Sequence, residues 1–82
     1  MAKLIPQFSL QEMIGQREIE VDAHTVRELV EWCESTYGAE FGRRMRQASI
    51  FVNGRNINYL QGYDTTLNPE DAMWLVVPSA GG

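Results

Sequence analysis

Few side chains in this sequence can take part in covalent or metal chemistry. There is one cysteine, Cys33, and one histidine, His24, among 82 residues. An internal disulfide needs two cysteines and a closed structural zinc site needs four such ligands, so both are excluded within one chain. Asp64, Thr65 and Asp71 form a polar set only on paper, because short polar residues at turns are ordinary loop chemistry. No nucleophile, base and orienting group can be assembled from this inventory, which argues against a stand-alone enzyme. What remains is the terminal run Pro78-Ser79-Ala80-Gly81-Gly82. Pro78 ends ladder pairing, and glycines without a Cβ can enter a slot closed to any larger residue. Residues 78–82 are expected to leave the body as a narrow, flexible tail, with 1–77 forming one domain.

The composition sets the class of that domain. Hydrophobic residues at 44% and charged residues at 22% are globular values, and they exclude a disordered chain. Seven Lys and Arg against eleven Asp and Glu leave a net charge of −4. Nucleic acid is therefore not the expected partner, since phosphate binding rests on clustered positive charge. An acidic module suits docking on a basic protein surface. No apolar run reaches the length of a membrane span, and the segment Met1–Pro6 lacks the apolar stretch of a signal peptide, so a cytoplasmic location is expected.

The elements that must position the tail are read from periodicity. Lys3 to Leu10 carries Leu4, Pro6, Phe8 and Leu10 at even spacing and reads as extended. Glu18, Glu20 and Asp22 alternate with Ile19, Val21 and Ala23, a strand with one wet face. Gly15 between them points to a hairpin. Thr25 followed by Glu28 fits a capping box. Val26, Leu29, Val30, Cys33 and Tyr37 then recur at helical spacing, and Gly38 suits a left-handed cap. His24 reads as a surface or capping residue, Cys33 as a buried thiol, and Trp32 as a cover at the core margin. Phe41 and Met45 can anchor one further helical turn, with Arg43, Arg44 and Arg46 on a solvated face.

Ser49 to Val52 is β-prone, and Asn53-Gly54 after it is a strong hairpin signal, because a primed two-residue turn needs positive φ at both positions. Asn56 to Leu60 is the expected partner strand. Asn68-Pro69-Glu70-Asp71 reads as a turn before Ala72 to Val77, whose apolar character suits the centre of the sheet. One main helix must cover one face of this mixed sheet, an α+β roll. Strand parity then puts Met73, Leu75 and Val77 on one face of the last strand and Trp74 and Val76 on the other. With the first set against the helix, Trp74 and Val76 face outward beside the tail, joined by Phe51, as a partner-binding surface.

Several stretches together resemble the β-grasp (ubiquitin-like) sulfur-carrier family, which includes the small subunit of molybdopterin synthase and the thiazole-synthesis carrier. They are Phe51-Val52-Asn53-Gly54-Arg55-Asn56-Ile57, Gly62-Tyr63-Asp64-Thr65-Thr66-Leu67, Asp71, and the terminal Pro78-Ser79-Ala80-Gly81-Gly82. Ile5-Pro6-Gln7-Phe8-Ser9-Leu10 departs from the aromatic first strand of the molybdopterin type and looks more like carriers paired with cysteine synthesis. Val77 stands where a second proline is common, and Asn68-Pro69-Glu70-Asp71 replaces the commoner Asp-Gly type of turn.

The resemblance implies that an adenylating, ubiquitin-activating-type enzyme uses ATP and magnesium to activate the Gly82 carboxylate, which becomes a thiocarboxylate. The chain itself would bind no metal or cofactor. A sulfur-accepting synthase then takes the sulfur, with the molybdopterin synthase large subunit as the first expectation. A carrier for cysteine, thiamine or another sulfur metabolite, or a ubiquitin-like modifier, would use the same terminus.

Overall fold

A computed structural model describes residues 1–77; the expected tail, Pro78 to Gly82, lies outside the described residues. The described residues contain five strands: β1 (Ala2–Pro6), β2 (Ile19–Val21), β3 (Ser49–Val52), β4 (Arg55–Asn56) and β5 (Ala72–Val76). Three α-helices accompany them: α1 (Ser9–Ile14), α2 (Val26–Tyr37) and α3 (Ala39–Gln47). The sheet order is β2-β1-β5-β3-β4. β1 and β5 run parallel and every other neighbouring pair is antiparallel, so the sheet is mixed as expected. The apolar β5 occupies its centre.

The first connection differs from the expected hairpin. β1 and β2 do pair antiparallel, with Leu4 opposite Ile19 and Ala2 opposite Val21. However, the extended stretch ends at Pro6 rather than Leu10, and Ser9–Ile14 forms α1. Even spacing of Phe8 and Leu10 imitated a strand, whereas Leu10 is buried from the helix and Phe8 points into solvent. Pro6 costs the ladder nothing. Lys3 donates its N–H to the Asp71 carbonyl on the β5 side, so by alternation the Pro6 nitrogen faces the β2 side, beyond the last paired residue Leu4.

The main helix forms where its local signals are strongest. Thr25 Oγ1 accepts from the Glu28 N–H at 3.1 Å, while Glu28 Oε1 accepts from the His24 N–H at 3.0 Å. The glutamate thus reaches one residue further back than in a simple capping box. Gly38 ends the helix at φ 106° and ψ 167° rather than in the left-handed cap, a conformation reserved for glycine. It also opens α3, which runs nine residues instead of the single expected turn.

Helix α3 packs closely on α2 because Gly42 leaves no Cβ where Glu34 crosses; an added Cβ would lie 2.7 Å from Glu34 Cγ. Phe41 and Met45 are fully buried. One main helix does not suffice, because Leu10 of α1 and Phe41 and Met45 of α3 fill the same core as Leu29 and Cys33 of α2.

The second half follows its turn chemistry. Asn53 and Gly54 adopt φ 51° and 86°, the two positive values of a primed turn. The partner strand is shorter than expected: β4 pairs over two residues only, and Ile57–Tyr59 turns into a short 3-10 helix. Ile57 dives into the core there, which a continued flat strand would not allow. The Asn68–Asp71 turn closes with the Asp71 N–H donating to the Asn68 carbonyl at 2.9 Å.

Candidate functional site

The expected parity of β5 is present. Met73 and Leu75 are wholly buried under the helices, while Trp74 remains 37% exposed on the opposite face. Register places Phe51 of β3 directly opposite Trp74, and Ile5 of β1 level with it on the other side. Val76 and Phe51 are half-buried. Phe51, Gly54, Trp74 and Val76 line a shallow depression of about 240 Å³. The three residues expected as a partner-binding surface are therefore brought together on the sheet face opposite the helices. Its position follows from topology: β5 is central, so its outward side chains sit in the middle of that face.

Other titratable groups are committed to structure. Cys33 is fully buried, and burial pushes its thiol up to about 12; such a thiol is not a nucleophile near neutral pH. The arginine cluster is paired, as a solvated face should be. Arg46 makes two hydrogen bonds to Glu34 at 2.8 and 3.0 Å, and Arg43 and Arg44 both engage Glu40. The hydrogen bonds from these arginines hold the Glu34 and Glu40 carboxyls below their ordinary value.

Arg27 pairs with Asp64 at 3.1 Å and lies over the Tyr63 ring. Thr65 Oγ1 accepts from the Gln61 N–H, and Asp71 is bonded to Asn53. Asp64 and Thr65 thus belong to the loop after Gln61 and Asp71 to the Asn68–Asp71 turn, each with its own partner, and the three do not converge. Trp32 stays 40% exposed with its ring edge-on to Tyr37, at the margin expected for it. Among the described residues no group of three or more His, Cys, Asp or Glu side chains could hold a metal ion, and no helix is long and apolar enough to cross a membrane.

A small mixed sheet, with helices against one face and Trp74 and Phe51 on the other, defines a β-grasp module among the described residues. A profile of the ThiS family matches residues 9–82, and the chain belongs to that family. It is a family of non-catalytic sulfur carriers. A protein of Archaeoglobus fulgidus described as a sulfur carrier is 32% identical over 78 residues, covering 84% of this chain and 89% of that protein.

Solved structures agree on the fold. The small archaeal modifier protein 1 of Methanosarcina acetivorans superposes with a TM-score of 0.86 at 22% identity, over 99% of this chain and 95% of that one. A chain from the Amycolatopsis orientalis BexX/CysO complex gives 0.85 at 19% identity, with complete coverage of both. At these identities the likeness defines the fold alone.

Phe8, which the even spacing from Lys3 to Leu10 reads as part of an extended stretch, stands instead in a turn and is 74% exposed. The available signal was Pro6 two residues earlier, which marks a strand end.

Proposed function

We propose that the chain carries sulfur as a thiocarboxylate on the carbonyl carbon of Gly82. The observation that carries this reading is the family match, which runs through to residue 82 and so includes Gly81 and Gly82. A C-terminal carboxylate, with a pKa of about 3.3–3.7, is ionised near neutral pH and is a poor electrophile. Its oxygen therefore attacks the α-phosphorus of ATP on an adenylating enzyme and pyrophosphate leaves. A sulfide-level sulfur then adds to the acyl carbon and AMP leaves. The resulting sulfur is soft, nucleophilic and anionic, and it attacks the acceptor inside a second enzyme. Phosphate, magnesium and sulfur donor are handled by the partners, in keeping with the scarcity of reactive side chains here.

Phe51, Trp74 and Val76 form the docking surface for these partners, and Pro78, Ser79, Ala80 and Gly81 thread the terminus into their pockets. The acceptor we assign first is the large subunit of a molybdopterin synthase. A cysteine-forming acceptor is the second reading, favoured by the segment Ile5-Pro6-Gln7-Phe8-Ser9-Leu10.

Intact mass of the protein from its own cells is expected to show a species heavier by one oxygen-to-sulfur exchange. Removing Gly81 and Gly82 should abolish that species and leave the fold unchanged; sulfur transfer that survives the deletion refutes the proposal. High-mass conjugates without any thiocarboxylate would identify a modifier instead. The synthase that copurifies decides between the two acceptors.

A further inference from the structure

Phe8 occupies an unusual backbone position. Its φ of 50° and ψ of −120° are those of the first central residue of a type II′ turn. The turn is closed by the Leu10 N–H donating to the Gln7 carbonyl at 3.2 Å, and the Phe8 carbonyl then accepts the first helical bond from Glu12. Glycine is the default there, because a Cβ at positive φ meets the adjoining peptide. A bulky residue in this conformation is strained, and such strain persists only where something compensates for it. Packing does not: the Phe8 side is 74% exposed, and it is no part of the core.

Its location supplies the reason. β1 and β5 are parallel, with Pro6 level with Leu75. Phe8, two residues beyond β1, therefore stands at the same end of the sheet as Val77, where the terminal segment departs. Five residues separate Val77 from the end of Gly82, and covalent geometry limits their span to roughly 18 Å. An enzyme that encloses the Gly82 carboxylate must bring the rim of its pocket within that distance of Val77. This end of the sheet lies under that rim, and an exposed phenyl ring there is suited to it.

We infer that Phe8 is a positioning residue that contacts the adenylating enzyme beside the tail exit and orients the carrier so that Gly82 reaches ATP. The inference rests on the carrier reading above. The occupant is the activating enzyme, because activation precedes every later fate of the terminus and does not depend on the acceptor.

The test is ATP–pyrophosphate exchange by the organism's ubiquitin-activating-type enzyme with the full chain as substrate, alongside thermal denaturation. Phe8→Ala removes the ring, and Phe8→Gly removes the ring and the strain together. Both are expected to raise KM for the carrier roughly tenfold, the loss typical of an interface anchor, with kcat little changed. Phe8→Gly should also raise Tm. Trp32→Ala, an exposed aromatic change on the helix layer, should leave KM as it was. Wild-type KM in both Phe8 variants overturns the inference while leaving the carrier reading intact, and so does a fall in Tm for Phe8→Gly. Absence of exchange with the unaltered chain would remove the carrier reading itself, and this inference with it.

Discussion

Asn53 and Asp71 clasp two turns together at the end of the sheet away from the tail. Asn53 Nδ2 donates to Asp71 Oδ1 at 2.8 Å, and Asn53 Oδ1 accepts from the Ala72 N–H at 3.0 Å. The Asn53 N–H in turn donates to the Ala72 carbonyl. One asparagine therefore shapes the β3–β4 turn with its backbone and extends the β3–β5 ladder with its side chain. Asp71 completes the link: its Oδ2 accepts from the Asn68 N–H, and its own N–H donates to the Asn68 carbonyl. Gly54 of this hairpin lines the depression beside Phe51 and Trp74.

Replacing Asn53 should separate the two contributions. Asn53→Gly keeps the positive φ and loses the side-chain bonds, at a cost of about 1 kcal/mol for exposed hydrogen bonds. Asn53→Ala should cost about 1 kcal/mol more, because alanine resists the left-handed region. Urea denaturation of both variants measures the difference. Equal stability of the two would show that the turn conformation carries no penalty.

Acid should weaken the fold partly through α2 and α3. Hydrogen bonds from Arg46 lower the Glu34 pKa, and those from Arg43 and Arg44 lower that of Glu40. A carboxyl depressed in the folded state contributes stability above its unfolded pKa and loses it as pH falls through the folded value. Arg46→Met is expected to return Glu34 toward its ordinary 4.5, read by NMR titration, and to flatten the acid limb of the stability profile. An unmoved Glu34 titration would count against the ion pair.

Cys33 behaves in the opposite sense. Burial raises its thiol from 9.0 to about 12, so the folded state holds the proton more tightly than the unfolded one. That contribution is complete below pH 9 and is lost as pH rises toward 12. A thiol reagent at neutral pH should label the native protein at the rate of global unfolding only. Rapid labelling without unfolding would contradict the burial.

Trp74→Ala should leave the core intact, since the ring lies opposite the buried Met73 and Leu75. The expected result is partner affinity weakened roughly tenfold or more, with a stability change of about 1 kcal/mol or less, as for a residue outside the core. Unchanged affinity would remove this face from the docking surface.

Elements specified by neighbouring residues were readable in advance. Helix α2 carries its own period and its own cap at Thr25, and Asn53-Gly54 encodes a primed turn in two residues. The apolar run of β5 announced a central strand, and its alternation placed Trp74 outward. Elements that depend on distant partners were not readable. Helix α1 follows from a turn at Phe8 that local propensity opposes, and the even spacing of Phe8 and Leu10 imitated a strand. Helix α3 extends over nine residues because Gly42 admits close contact with Glu34 and because Phe41 and Met45 find a shared core.

The sequence by itself determined that the chain holds one cysteine and one histidine and is acidic, that its elements make an α+β fold, and that the last strand has one apolar inner face. Only the tertiary structure decided what stands beside β5. Parallel pairing of β1 with β5 brings Phe8 to the Val77 end of that strand, and antiparallel pairing of β3 with β5 sets Phe51 against Trp74. Both are contacts between residues far apart in the chain. Strand register, set by burial of one face across the whole sheet, fixes them, and no local pattern can encode it.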